Sequence, residues 1–233
     1  MSNSSYIARR QQLETYFDRT AVEAWKRLTS DAPVGSVRAT VRAGRDTMRA
    51  KLLSWLPQDL RGARVLDAGC GTGALAIEAA KRGADVLAID ISPTLVDLAR
   101  QRTPADLGAG RVTFAAGDML NSGLGQFDHV VAMDSLIHYD GKDIAETLAQ
   151  LSKRTRGSIL FTVAPRTPLL MLMLTMGRLF PRSDRSPAIA PISQKELWRQ
   201  ARKHPDLGPW RMGRSFRVSR GFYISQALEI SAP

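Results

Sequence analysis

From residue 63 onward, short apolar runs alternate with longer amphipathic stretches. Five runs, at 63–67, 85–90, 111–115, 127–133 and 158–163, have the length and composition of buried strands. Between them, 75–81, 93–102 and 143–151 carry apolar residues three and four apart, the spacing of one helix face. This alternation predicts a doubly wound α/β fold around a mainly parallel sheet. The chain closes with strand-like runs at 210–218 and 222–230, joined through Ser219, Arg220 and Gly221, which read as an antiparallel hairpin completing the sheet. Residues 5–56 read as two or three amphipathic helices broken at Pro33 and Gly35, and 165–208 as a Pro- and Arg-rich insertion. The expected organisation is one domain in four parts: a helical lid (1–60), a core (61–164), a cap insertion (165–208) and the terminal hairpin (209–233).

A length of 233 residues with 44% hydrophobic content fits a single core of this type. The one cysteine, Cys70, excludes an internal disulfide and a cysteine zinc site, so no metal site is expected. The amino terminus lacks the apolar stretch of a secretory signal, and a cytoplasmic location is the expectation. Net charge is +11, unevenly spread: residues 61–152 hold 8 basic and 12 acidic groups, and residues 153–220 hold 15 and 3. An anionic partner would therefore meet the flanks of the core. The arginines are spread along helices and not clustered with stacking aromatics, so nucleic acid is not expected to be that partner. The apolar run at 169–176 is far shorter than the roughly 20 residues of a membrane span. It reads either as a buried helix or core loop, or as a hydrophobic lid or membrane-surface contact.

The densest chemical signal is Asp67-Ala-Gly69-Cys70-Gly71-Thr-Gly73 at the end of the first strand run. Glycines there permit close approach of backbone to a ligand. Gly69, Gly71 and Ala74 also satisfy the dinucleotide fingerprint, so the neighbouring residues decide. S-adenosylmethionine offers an ammonium, a sulfonium, ribose hydroxyls and an adenine amine, groups that carboxylates complement. Asp67 can face the positive methionine end. Asp90, with Ile91 beside it, can accept from the ribose hydroxyls. Asp118 can take the adenine amino hydrogen while Met119 packs on the ring. Asp134 ends the fourth strand run, at the sheet edge where open α/β folds bind ligands. Four aspartates at successive strand ends favour S-adenosylmethionine, released as S-adenosylhomocysteine, over a nicotinamide cofactor.

With Asp90-Ile-Ser and Gly117-Asp118, this set is similar to class I methyltransferases. A narrower likeness lies outside those motifs: Tyr16-Phe17 with the run ending at Trp25, Asp134-Ser-Leu-Ile-His138-Tyr139, Phe161-Thr-Val-Ala-Pro165-Arg-Thr and Arg220-Gly-Phe-Tyr-Ile-Ser225. Along nearly the whole chain these segments resemble the magnesium-protoporphyrin IX methyltransferase family. That resemblance implies methyl transfer to one propionate of a magnesium porphyrin in (bacterio)chlorophyll synthesis, with amino-terminal helices as a lid over the cofactor. The partners considered with it are the porphyrin-carrying subunit of magnesium chelatase and, peripherally, the photosynthetic membrane. The stretch around 183–190 departs from the pattern, being unusually rich in Arg, Ser and Pro.

A flat dicarboxylate needs an apolar slot with cations at its edge, and 169–176 beside Arg166, Arg178, Arg182 and Arg185 has that composition. His138, four residues beyond Asp134, and Tyr16 are the catalytic candidates; a capping or packing histidine and a core tyrosine are the bland alternatives. A quinone or other small hydroxyl-bearing substrate remains open, since the cofactor motifs would be the same. Such a substrate would need a base, which would make His138 central.

Overall fold

The computed structural model describes residues 4–20, 29, 35–177 and 188–233. Strands β1 (Arg64–Ala68), β2 (Asp85–Asp90), β3 (Arg111–Ala116), β4 (Phe127–Ala132) and β5 (Thr155–Val163) are parallel. β6 (Arg211–Arg220) and β7 (Tyr223–Ser231) complete the sheet in the order β3-β2-β1-β4-β5-β7-β6, with β7 antiparallel to both neighbours.

Alternate side chains of each central strand enter different cores. Leu66, Val130, Phe161 and Leu228 face one side; Val65, Val131, Leu160 and Ala227 face the other. Helices cover both faces, so the strands read as apolar runs without an exposed alternate position. α1 (Ser4–Thr15), α5 (Gly141–Ser152) and α7 (Gln194–Ala201) supply Leu13, Ile144 and Leu197 to the first core. α2 (Ser36–Trp55) and α3 (Ala74–Lys81) supply Met48, Leu52 and Leu75 to the second. α4 (Pro93–Arg102) starts on a Ser92 cap and buries Leu95 and Val96. Gly44 lets α2 lie close to β7: a Cβ there would sit 2.5 Å from the Tyr223 ring.

β1 connects outward to β2 and β3 on one side, while β4 and β5 lie on its other side. The order therefore reverses between β1 and β4, and a crevice opens beyond their carboxyl ends.

Three expectations need adjustment. β5 begins at Thr155, three residues ahead of the apolar run, because strand pairing from Phe127↔Thr155 extends past the buried positions. The hairpin turn is Gly221–Phe222, since Arg220 still pairs with Tyr223 and Gly221 takes the positive φ of 57°. The apolar run at 169–176 forms helix α6 (Pro168–Gly177), but it is not a buried helix. Leu170 is buried with Met173 and Leu174 packed beside it, whereas Leu169, Leu172 and Met176 are exposed. No helix among the described residues is long and apolar enough to cross a membrane. Pro33, Arg178, Arg182, Arg185 and most of the 183–190 stretch lie outside the described residues.

Candidate active site

A cavity of about 580 Å³ lies beyond the carboxyl ends of β1, β2 and β4. Asp67, Gly69, Gly71, Asp90, Ile91 and Met119 line it, and Asp134, His138 and Tyr16 line it as well. Gly73 and Asp118 are not among its lining residues.

The loop after β1 turns on three left-handed glycines, with φ of 87°, 53° and 78° at Gly69, Gly71 and Gly73. The Gly69 and Cys70 N–H groups both donate to the Ile89 carbonyl, tying the loop to β2. A Cβ at Gly69 would overlap the Ser135 side chain, so glycine admits the β4 loop against the β1 loop. Gly73 has another task. A Cβ there would sit 2.8 Å from the Phe114 ring, so this glycine serves packing of α3 on the sheet.

Asp90 is preset by backbone: its Oδ2 accepts from Gly71 N–H at 2.8 Å and its Oδ1 from Ser92 N–H at 2.9 Å. Burial nonetheless raises its pKa. Asp67 is buried, and its Oδ2 has no hydrogen-bond partner among the described residues. Burial, then the charge of Asp90, push its pKa up to about 7. A buried carboxylate oxygen lacking a donor is the complement of a cationic group, which the ammonium and sulfonium of S-adenosylmethionine supply. Cys70, in the same loop, has its thiol raised well above the ordinary value by burial and by Asp67 and Asp90.

Asp67 makes stability depend on pH with a definite sign. Between roughly pH 4 and 7 the folded state without cofactor binds more protons than the unfolded one. Stability at this position therefore falls as pH rises through that window, by at most ~1.4 kcal/mol per pH unit, and levels off above it. Thermal melts should show Asp67→Asn flattening this slope, with S-adenosylmethionine stabilising the wild type more at pH 7.5 than at 5.5. Parallel wild-type and variant profiles would remove Asp67 from the cation site.

Asp118 is engaged by the amino-terminal helix. Its Oδ1 accepts from Tyr6 OH at 2.8 Å and from Leu120 N–H, and its Oδ2 pairs with Arg10 at 2.7 Å. The Tyr6 ring stacks on Tyr139 at 5.1 Å, and Ser5 OH donates to Asp143 at 2.8 Å. The carboxylate expected to meet adenine thus latches α1 over the cavity, in which Tyr6 and Leu13 also take part. A π-helical turn, Tyr16–Thr20, follows α1. It puts Asp18 against the hydroxyls of Ser92 and Thr94 and sets Tyr16 and Phe17 on the cavity wall.

Asp134 has a positive φ of 57°, a region Asp tolerates better than most residues. It is held by Arg45 at 2.6 Å, Tyr223 OH at 3.0 Å and the Thr162 hydroxyl at 3.2 Å. An anchored ion pair is thus what the structure places at this strand end. His138 is buried in the following loop. Its Nδ1 lies 3.3 Å from the Ala188 carbonyl, which can only accept, so Nδ1 carries a hydrogen and Nε2 is the nitrogen that can exchange one. Its ring meets Phe17 edge-on at 6.2 Å.

Sequence reasoning missed Arg45 and the other arginines of α2 facing the cavity. It assigned the substrate cations to Arg166, Arg178, Arg182 and Arg185; Arg166 is exposed and not among the lining residues, and the other three lie outside the described residues. Spacing shows that Arg38, Arg42, Arg45 and Arg49 recur on one helix face, but not what that face meets.

The family model described as magnesium-protoporphyrin IX methyltransferase C-terminus matches residues 132–232, and a general methyltransferase domain model matches 65–157. The magnesium-protoporphyrin O-methyltransferase of Rhodobacter capsulatus is 54% identical over 227 residues, covering 97% of this chain and 98% of that protein. The ubiquinone biosynthesis O-methyltransferase of Xanthomonas oryzae is 32% identical over 176 residues, covering 72% of this chain and 71% of that protein. The crystal structure of magnesium protoporphyrin IX methyltransferase from Synechocystis PCC 6803 with bound SAH superposes with a TM-score of 0.80. Its identity is 29%, with 96% of this chain and 100% of that one covered. The fold, the glycine loop with its aspartates, and a likeness running from end to end agree: this chain belongs to the magnesium-protoporphyrin O-methyltransferase family of S-adenosylmethionine-dependent class I methyltransferases.

Proposed function

We propose that this chain transfers a methyl group from S-adenosylmethionine to a propionate carboxylate of magnesium protoporphyrin IX, giving the monomethyl ester used in (bacterio)chlorophyll synthesis. The observation that carries this reading is one cavity lined by the buried carboxylates Asp67 and Asp90, by four arginines of α2 and by Tyr6 and Leu13 of the amino-terminal helix. A cationic methyl donor suits the carboxylates and an anionic, flat substrate the arginines.

When bound, the cofactor supplies a methyl group on an electron-poor sulfur. Asp67, Asp90, Ile91 and Met119 hold its polar and apolar parts, and the Gly69–Gly71 backbone lets it approach β1. Asp134 acts one step removed, fixing Arg45 and Tyr223. A carboxylic acid with a pKa of roughly 4 to 5 is already ionised at neutral pH, so no strong base is needed. Catalysis then rests on alignment and water exclusion. His138 orients the reacting carboxylate, Tyr16 offers a second hydroxyl donor, and α1 with Phe17 closes the site to solvent.

The exposed apolar residues of α6, Leu169, Leu172 and Met176, form the part of the surface suited to a hydrophobic partner. The candidates are the photosynthetic membrane, with the protein otherwise cytoplasmic, and the porphyrin-carrying chelatase subunit. Co-sedimentation with anionic vesicles separates the two.

The function is tested by incubating the protein with labelled S-adenosylmethionine and magnesium protoporphyrin, then separating the pigments. Labelled monomethyl ester is the expected product. Label appearing only in an added demethylated quinone would replace this reading with the quinone one.

A further inference from the structure

Four arginines of α2, Arg38, Arg42, Arg45 and Arg49, line the cavity. Steps of four, three and four residues put them in one row along the helix, about 16 Å from first to last. Arg49 is paired with Asp46 at 2.8 Å and Arg45 with Asp134 at 2.6 Å. The second pair is fixed further by Tyr223 and Thr162, so the inner part of the row is an anchored platform. Arg42 is half-buried and Arg38 exposed, which takes the row outward toward solvent.

The substrate assigned above, on which this inference rests, is a dicarboxylate with its propionates on adjacent pyrroles, and only one of them is esterified. A guanidinium that donates two parallel N–H bonds to a carboxylate strengthens binding and at the same time makes those oxygens poorer nucleophiles. Arginines that serve binding therefore belong on the propionate that does not react. The charges of the cavity point the same way. Asp67 and Asp90, the carboxylates assigned to the cofactor, repel a second carboxylate, whereas Arg38 and Arg42 attract it.

We propose that Arg38 and Arg42 bind the propionate that remains unmethylated, and that this contact determines which of the two carboxylates is presented to the methyl donor. Recognition of the second carboxylate thereby becomes the source of regiochemistry. Once one ester has formed, the remaining carboxylate is the one the arginines retain, which keeps the product a monoester.

The test is steady-state kinetics of wild type, Arg42→Gln, Arg42→Lys and Arg38→Gln/Arg42→Gln on two substrates. These are magnesium protoporphyrin and the isomeric magnesium porphyrin whose second propionate is already a methyl ester. On the dicarboxylate, the double variant should raise KM at least roughly 10-fold and release both monoester isomers, while S-adenosylmethionine affinity stays at the wild-type value. Arg42→Lys should recover part of the loss. On the half-esterified porphyrin, wild type should already show the raised KM, and the penalty of the substitutions should vanish. An unchanged KM with a single isomer, or an equal penalty on both substrates, would overturn the assignment. A wild-type enzyme inert toward magnesium protoporphyrin would overturn the function itself and this inference with it; normal activity in every variant would overturn the inference alone.

Discussion

Asp90→Ala is expected to weaken S-adenosylmethionine binding by at least about 100-fold, because two hydrogen bonds to a charged acceptor, at roughly 1.5–3 kcal/mol each, are lost together. The side chain is already oriented before any ligand arrives, with Gly71 and Ser92 N–H each occupying one carboxylate oxygen. Removing it also leaves those two donors without their acceptor, so the glycine loop should loosen as well. Asp90→Asn keeps the shape and one acceptor oxygen and should fall between Ala and wild type. Titration calorimetry on folded variants reads the affinity. A wild-type Kd in Asp90→Ala would take this residue out of cofactor recognition.

His138→Ala should lower kcat by on the order of 100-fold while leaving cofactor affinity nearly unchanged. Because Nδ1–H is committed to the Ala188 carbonyl, the ring offers a donor to a carboxylate at Nε2 only when it is imidazolium. An orienting role therefore gives a kcat that declines as pH rises. A proton-accepting role gives the opposite limb. His138→Gln retains a donor and similar reach, so it should keep more activity than Ala and lose the pH limb. Tyr16→Phe, whose ring still packs on Phe17, should show a smaller loss. Wild-type kcat in all three variants would remove the pair from the reaction, and equal loss in Gln and Ala with a falling acidic limb would favour proton transfer from a hydroxyl substrate.

What could be read from the sequence follows from how local each signal is. β2 and α4 match their expected limits, and β1, β3 and β4 lie within one residue of theirs, because apolar runs and turn residues adjoin there. β5 starts with Thr155-Arg156-Gly157, a stretch with little apolar content, and only pairing to β4 reveals it as strand. The residues proposed for the cofactor form a pattern of carboxylates at strand ends that is visible in the sequence. Two of them, Asp118 and Asp134, have partners far along the chain: Tyr6 and Arg10 for the first, Arg45 and Tyr223 for the second. Nothing in a linear motif distinguishes an aspartate that meets a ligand from one that meets a remote helix. The arginines of α2 were hidden for a related reason. In a helix that also carries Asp46 and Lys51, they read as a solvated face until the sheet edge beneath them is known.

The single sulfhydryl in the glycine loop has a practical corollary. With its proton retained at neutral pH, Cys70 presents almost no thiolate to alkylating or oxidising reagents. The chain has one cysteine in all, and that thiol is disfavoured as a thiolate. A cysteine placed at exposed Gln11 or Gln12 on α1 would be the dominant reactive sulfur. A maleimide dye attached there would report directly on movement of this helix relative to the core, with no background position to engineer away first.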